Sequence, residues 1–421
     1  MSRTPLRVAV LGAGNVGAEV VRGLQQLGDR LAPFDGRTLE LAAIAVRNID
    51  RARERGLPTE LLTDAPAHLV AADDTDVIVE LMGGDEPAHT LIAAALSAGK
   101  AVVTANKNVL AHHGPELEAI ARKTGAALRF EAAVAGGIPV LSPLASDLAA
   151  NRITRVRGIV NGTTNYILTA MAQEGRPYDD VLIDAQELGY AEADPTGDVE
   201  GHDAVNKLVI LARLAFDVWL QPGTVASAPP TARGTGKPGI TGVTDQEIEG
   251  AGALGLSIKL LATAARGEGG IVASVLPTAV PAESPFGWTD DVTNRIEIDA
   301  EPLGTVRLAG PGAGGTATSS AVLGDLLAVA RGQPSTWAGL PPAEAPAVAA
   351  VDGLDVPRHW FAFLPPVDVT DLPAALDEAA AVSFDEGSAL RTEVVTLAEA
   401  REALDAILPP GTDVTLYPVD D

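Results

Sequence analysis

The chain contains no cysteine. That absence excludes disulfides, thiolate metal sites and every mechanism that runs through a cysteine nucleophile. Basic residues are scarce, since 30 Lys and Arg stand against 56 Asp and Glu and leave a formal charge of −26. Such a balance opposes nucleic acid and anionic membranes as partners, because both select basic patches. Long apolar runs are missing too, and none reaches the length of a membrane span. The N-terminus "MSRTPLRVAVLGAG" enters a strand without the layout of a signal peptide, so a cytoplasmic location is expected. What is present is 421 residues with 47% hydrophobic positions, enough to bury two or three cores. A small-molecule enzyme is the expectation. An anionic ligand would have to be held locally, by a helix N-terminus or a placed arginine, against the mean field.

The apolar pattern divides the chain into three regions, expected at 1–136, 137–345 and 346–421. In the first, "LRVAVL", "LELAAIAV", "DVIVELM", "KAVVTA" and "ALRFEAAV" read as strands, separated by helical patterns such as "AEVVRGLQQLG", "HTLIAAALSAG" and "PELEAIARKTG". That alternation predicts an α/β fold, a Rossmann-type doubly wound parallel sheet. The second region carries helical periodicity at 163–174, 177–188, 201–216 and 245–266, then strand-like "IVASVLPTAV" and "PLGTVRLAG". It is expected to be an α+β substrate and dimerisation domain in which 305–345, with the helix "SSAVLGDLLAVARG", packs back on the first. "SAPPTARGTGKPG" reads as an irregular loop. The tail follows a linker, "PAEAPAVAAVDGLDVPRHW", and reads βαββαβ through "HWFAFLP", "DLPAALDEAA", "AVSFD", "ALRTEVVT", "LAEAREALDAI" and "DVTLYPV".

Chemistry enters at "GAGNVG". Gly12, Gly14 and Gly17 match G-x-G-x-x-G between a strand and a helix, the context in which the glycines permit a tight turn, approach of a pyrophosphate and close helix–strand packing. Asn15 and Val16 belong to the same turn. An acidic residue at the end of the second strand would hold a ribose 2′-hydroxyl, whereas an arginine accepts a 2′-phosphate. Arg47 stands there, which favours NADP(H), while nearby Asp50 keeps NAD(H) open. Thr104, Asn106 and Lys107 follow the strand "KAVVTA", and ligands in open α/β sheets sit beyond the carboxyl ends of strands. His112 and His113 are adjacent, and adjacent residues do not share a helix face, so the pair argues against a metal site.

The segment "AEADPTGDVEGHDAVNKL", 191–208, crowds Glu192, Asp194, Asp198, Glu200 and Asp203 before a single lysine, Lys207. Asp203 and Lys207 stand at i and i+4 on one helix face. An exposed pair of that kind contributes only ~0.3–0.5 kcal/mol. Here, however, Val205, Leu208, Val209, Ile210, Leu211, Ala212 and Leu214 make the helix apolar nearly all round, which predicts burial. Charges at the start of a buried helix line a polar cavity, because unpaired they cost too much. An ammonium there can give or take a proton.

Together the blocks "GAGNVG", "ANKN", "EAAVAGGIP" (131–139), "IVNGTTNYIL" (159–168), "GYAEADPTGDVEGHDAVNKL" (189–208), "GITGVT" (239–244) and "GPGAGG" (310–315) resemble the homoserine dehydrogenase family over roughly residues 6–330. The resemblance implies reversible NAD(P)H-dependent reduction of aspartate semialdehyde to L-homoserine, on the way to threonine and methionine. It implies that Lys207 is the catalytic proton donor with Lys107 as its partner near the nicotinamide. It also implies that Glu192, Asp203, Gly189 and Asp198 bind the substrate, and that Gly312 in the late glycine loop returns to the cofactor. A monovalent cation, Na+ or K+, is implied at Glu131, Val134, Gly136 and Ile138, largely through backbone oxygens, and a homodimer or homotetramer is implied as the assembly. Aspartate semialdehyde dehydrogenase, which shares the metabolite, needs a cysteine and is excluded. The alternatives are another NAD(P)-dependent amino or hydroxy acid oxidoreductase and a non-catalytic dinucleotide sensor. Two departures from the family stand out. The stretch "WTDDVTNRIEIDAEPLG" lacks the family's usual residues before the late glycine loop, and the tail offers Asp371 and Pro373 without the glycine turn of a regulatory ACT domain. A degenerate ACT-like module that mainly assists assembly is therefore expected.

Overall fold

The computed structural model describes residues 5–26, 37–343, 346–367, 372–377 and 381–421. The ends of the helical reading "AEVVRGLQQLG" and of "DLPAALDEAA", together with Asp371 and the 345/346 boundary, lie outside or at the edge of the described residues.

The first region comprises β1 (Leu6–Leu11), α1 (Asn15–Gln26), β2 (Leu39–Ala45), α2 (Ile49–Glu54), β3 (Leu62–Thr63), α3 (Pro66–Ala71), β4 (Val77–Glu80), α4 (Ala88–Ser97), β5 (Ala101–Thr104), α5 (Lys107–Thr124) and β6 (Leu128–Arg129). Its six strands pair in the order β3-β2-β1-β4-β5-β6, all parallel. Strand side chains alternate between faces, so Val8 and Val10 enter the core with α1 while Ala9 and Leu11 enter the one with α4 and α5. The strand order reverses between β1 and β4, which opens a crevice at their carboxyl ends.

Two local expectations change here. "ALRFEAAV" is a strand only at Leu128–Arg129 and then turns as a 3₁₀ segment, Glu131–Ala133. Helix α5 starts at Lys107, not at Pro115, because the Asn106 side chain accepts from the Val109 N–H and caps it. Pro115 is tolerated inside the helix.

The second region contains α6 (Leu141–Ala145), β7 (Arg152–Ile159), α7 (Gly162–Glu174), α8 (Tyr178–Glu187), α9 (Thr196–Val199), α10 (His202–Phe216), α11 (Asp245–Ala253), β8 (Leu256–Gly267), β9 (Gly270–Pro281), β10 (Thr293–Glu301), β11 (Gly304–Pro311) and α12 (Gly315–Ala330). Five antiparallel strands run β11-β10-β7-β8-β9. The predicted helix 245–266 is corrected: it ends at Ala253, Gly255 turns the chain at φ 70°, and 256–267 becomes a twelve-residue strand. Alanine-rich β8 is made a strand by its pairing with β7 and β9, tertiary context overriding propensity. Strand β7 was not anticipated. Helix α12 leaves this sheet and packs on α1, placing Val322, Leu326 and Ala330 in the core of the parallel sheet.

The tail forms β12 (Trp360–Leu364), α13 (Ala374–Asp377), β13 (Ala381–Phe384), β14 (Gly387–Arg391), α14 (Leu397–Ile407) and β15 (Tyr417–Pro418). This is the expected βαββαβ succession, with an antiparallel sheet ordered β13-β14-β12-β15, although β14 begins before "ALRTEVVT". The linker is strapped down by single bridges from Val348 to Leu220 and from Val351 to Val272.

Candidate active site

The glycine turn lies at the mouth of the crevice. Gly12 adopts φ 97°, and a side chain there would meet the Leu81 carbonyl oxygen at 2.7 Å. A Cβ at Gly17 would stand 2.0 Å from the Gly12 carbonyl oxygen, so α1 can sit this close to β1 only with glycine. Gly14 faces open space and is exposed, as is Asn15, while Val16 is half-buried. Space, turn and helix N-terminus thus fit a dinucleotide pyrophosphate. Arg47 is exposed just beyond β2, and Asp50 is paired with Arg53 at 3.0 Å. Arg55, which the sequence reading passed over, reaches back from the end of α2 to the Ala13 carbonyl at 3.4 Å. The late glycine loop also arrives here: a Cβ at Gly315 would stand 3.2 Å from the Asn15 carbonyl oxygen, and a Cβ at Gly312 would collide with the Asn294 side chain. Asn294 lies in the stretch that departs from the family, and it shapes the loop from below. Gly17→Ala is expected to weaken NADPH binding by about tenfold or more, because backbone and not a flexible side chain occupies the space; a fluorescence titration of the nucleotide checks this.

Across the crevice, Thr104 and Asn106 are buried and engaged with the protein. The Thr104 hydroxyl donates to the Glu80 carboxylate at 2.7 Å and accepts from the Asn106 N–H at 3.0 Å, while the Asn106 amide donates to the Gly84 carbonyl at 2.8 Å. Their visible role is to hold the corner from which Lys107 projects. Lys107 reaches Asp203 on α10, with Nζ 3.2 Å from Oδ1. The other oxygen, Oδ2, accepts from Lys207 Nζ at 2.7 Å. One carboxylate therefore bridges two ammonium groups. Lys207 is 8% exposed and also donates to the Val160 carbonyl at 2.7 Å.

Asn161 completes the arrangement. Its Oδ1 does cap α7 through the Thr164 N–H, but its Nδ2 donates to Asp198 at 2.7 Å and to Asp203 at 2.8 Å. The pattern "NGTT" advertised the cap; nothing local advertised the two carboxylates. Burial alone would raise the Asp203 carboxyl, but Lys207, Lys107 and Asn161 outweigh it and hold the group far below the usual carboxylate range. For Asp198, burial wins over the Asn161 bond and the neighbouring Asp203 charge adds to it, so its pKa is raised. The Asp203 charge raises Lys107 in turn.

The remaining carboxylates separate by position. Glu192 is exposed and contributes to the field at Lys107, while its carbonyl accepts from Gln186. Gly189 is exposed at the end of α8, close to the Tyr190 carbonyl that accepts from Thr163 at 2.7 Å. Asp194 accepts from the Thr196 N–H, and Glu200 lies 3.7 Å from His202.

Helices α5 and α10 are clasped far from the crevice. Buried Glu118 accepts from Arg213 at 2.7 and 2.9 Å, from Trp219 at 2.8 Å and from Arg122 at 2.8 Å. That clasp joins the two helices that carry the lysines.

The loop 131–139 adjoins Gly312. The Glu131 carboxylate is consumed by three backbone N–H groups, those of Val140 and Leu141 at 2.7 and 2.8 Å and that of Ser142 at 2.7 Å. With its carboxylate so engaged, Glu131 has its carbonyl oxygen to offer a cation, as the resemblance implies. Ala135 at φ 54° and Gly136 at φ 51° place consecutive residues in the left-handed region, where an alanine is strained. Strained backbone that redirects carbonyls around Val134, Gly136 and Ile138 fits a hard cation.

A parallel sheet with its glycine turn at the strand-order reversal has the layout of a dinucleotide-binding domain, and the comparisons make the protein a nicotinamide-dependent oxidoreductase acting on a CH–OH group. Models of two families match the chain, "Homoserine dehydrogenase, NAD binding domain" over residues 12–131 and "Homoserine dehydrogenase" over residues 139–327. The chain belongs to the homoserine dehydrogenase family. It is 42% identical to the homoserine dehydrogenase of Corynebacterium glutamicum, over 91% of this chain and 84% of that one. Identity to the enzyme of Mycobacterium bovis is 46%, over 78% and 73% of the two chains. The crystal structure of a homoserine dehydrogenase from Thiobacillus denitrificans superposes with a TM-score of 0.87 at 34% identity, covering 99% of each chain. A hyperthermophilic archaeal homoserine dehydrogenase in complex with NADPH superposes with a TM-score of 0.65 at 27% identity, covering 79% of this chain and 99% of that one. The reaction is thus the interconversion of aspartate semialdehyde and homoserine.

Proposed function

We propose that Lys207 is the proton donor to the aldehyde oxygen of aspartate semialdehyde and takes the proton back when homoserine is oxidised. One observation carries this reading: Lys207 Nζ is buried and, among the described residues, donates to two acceptors, Val160 O and Asp203 Oδ2, both at 2.7 Å. An ammonium has three N–H bonds, so one remains for the substrate. The bound nicotinamide supplies or accepts the hydride. Asp203 orients both ammonium groups. Lys107, more exposed, holds the nicotinamide end of the substrate. Asp198, Glu192 and the chain at Gly189 form the acidic side that attracts the substrate's ammonium group, so the crowding of carboxylates at 191–208 answers to that charge.

NADP(H) is the preferred cofactor in this proposal, with NAD(H) accepted, because Arg47 and Arg55 both stand beside the glycine turn and Asp50 is occupied by Arg53. The archaeal relative bound to NADPH agrees with this. A monovalent cation, Na+ or K+, is held by carbonyls of Glu131, Val134, Gly136 and Ile138. The chain assembles as a homodimer or homotetramer, and β11 offers an open sheet edge for that purpose. The C-terminal module assists this assembly and does not sense threonine.

The forward assay with L-homoserine tests the set. A kcat/KM at least tenfold higher with NADP than with NAD is expected, falling about tenfold in Arg47→Ala for NADP alone. Equal cofactors, or a variant that loses both equally, would remove the assignment. The same assay in sodium and potassium buffers, with and without L-threonine, reads the cation and the tail.

A further inference from the structure

We propose that His89, His113 and Glu116 form a binding site for one late first-row divalent cation of the Zn2+ type, between α4 and α5 and separate from the carbonyl loop at 131–138. Each residue presents a ligand atom, and the three atoms lie within 4.8 Å of one another. His89 comes from the first turn of α4, and His113 and Glu116 come from one face of α5. The adjacent pair His112 and His113 could not share an ion; the partner of His113 arrives from another helix.

The hydrogen-bond geometry calls for a cation. His89 has a carboxylate oxygen opposite each ring nitrogen, Glu86 at 3.2 Å from Nδ1 and Glu116 at 3.2 Å from Nε2. A neutral imidazole has one N–H and one lone pair, so one of these contacts sets a lone pair against a carboxylate unless a positive charge intervenes. The His113 ring stacks on that of His89, with centroids 3.8 Å apart and planes 13° off parallel. Asp85, at 2.9 Å from His113 Nε2, brings the surrounding carboxylates to Asp85, Glu86 and Glu116.

The arrangement already has the order of a metal centre. With Nδ1–H given to Glu86, His89 offers Nε2; with Nε2–H given to Asp85, His113 offers Nδ1. A ligating histidine generally donates its other N–H to a carboxylate in this way. The 3.2 Å between His89 Nε2 and the Glu116 oxygen is the spacing of two ligands on a tetrahedral ion with bonds of ~2.0–2.1 Å. Mixed imidazole and carboxylate donors suit Zn2+ and disfavour Mg2+ or a monovalent ion. The parallel rings do not converge on one point, so the His113 ring turns about its Cβ–Cγ bond to close the site; its side chain is 27% exposed and has room. Water fills the fourth position. An ion there ties the loop after β4 to α5, the helix that begins with Lys107.

The full-length chain, stripped with chelator, is titrated with Zn2+ alone by calorimetry in excess Na+ and Mg2+, and with Co2+ by visible absorption. One equivalent is expected, with affinity reduced at least tenfold in both His89→Ala and His113→Ala and several-fold in Glu116→Gln. The Co2+ bands of a tetrahedral site should vanish in both histidine variants, and the thermal midpoint should rise with Zn2+ in the wild type only. Zn2+ affinity and Co2+ bands unchanged in the variants, or no binding by the wild type, would overturn the site and leave an imidazolium held by carboxylates.

Discussion

Lys207→Ala is expected to lower kcat by at least ~100-fold in both directions while the dissociation constant for NADPH stays within about twofold. The contacts of the Lys207 ammonium are with Val160 and Asp203, neither of them in the glycine turn, so nucleotide binding should survive its loss. Its removal takes away the buried ammonium to which the proposal gives the protonation of the aldehyde oxygen. Lys207→Arg separates charge from proton transfer. A guanidinium satisfies Asp203 but holds its proton too tightly to exchange it, so this variant should also remain slow. Steady-state kinetics together with nucleotide fluorescence decide the matter. Turnover near the wild-type rate in Lys207→Ala would move the proton donor elsewhere, and Lys107 would be the next residue to replace.

Asp203→Asn should have the second-largest effect, and it should appear in stability as well as in rate. The carboxylate bridges Lys107 and Lys207 at 3.2 and 2.7 Å, and its side chain is 10% exposed. Breaking one partner out of a buried ion pair costs ~3–5 kcal/mol, because the remaining charge stays uncompensated. Here two ammonium groups are left facing each other, so turnover should fall by about 100-fold or more. The pH dependence follows from the direction of the shift. Asp203 is held far below its unfolded value, so its contribution to stability is complete above about pH 4 and declines as pH falls from there toward the folded value. The wild type should lose this increment on the acid side, and Asp203→Asn should lack that part of the slope. Urea unfolding of both proteins between neutral pH and about pH 3 gives the comparison. Parallel acid slopes would show that Asp203 does not carry the charge assigned to it.

Local pattern revealed much of this arrangement. Strand–glycine–helix order at 6–26 announced the crevice, and the apolar character of 204–216 announced that Asp203 and Lys207 were buried, because both are properties of neighbouring residues. The failures share a cause. Residues 256–267 read as a continuation of a helix and became β8, since an alanine-rich segment with weak preference takes the structure of the partners that pair with it. Helix α5 gained eight residues before Pro115 because Asn106 caps it.

By itself the sequence determined the doubly wound sheet, the dinucleotide turn, the exclusion of thiol chemistry and the i,i+4 pair of Asp203 and Lys207, all of which follow from periodicity, composition or close spacing. Only the tertiary structure decided which distant groups share a charge. Lys107 meets Asp203, Asn161 spans Asp198 and Asp203, Arg55 reaches Ala13, and His89 stacks on His113. Coulomb and hydrogen-bond energies depend on separation in space, and separation along the chain carries no information about that until the helices are packed.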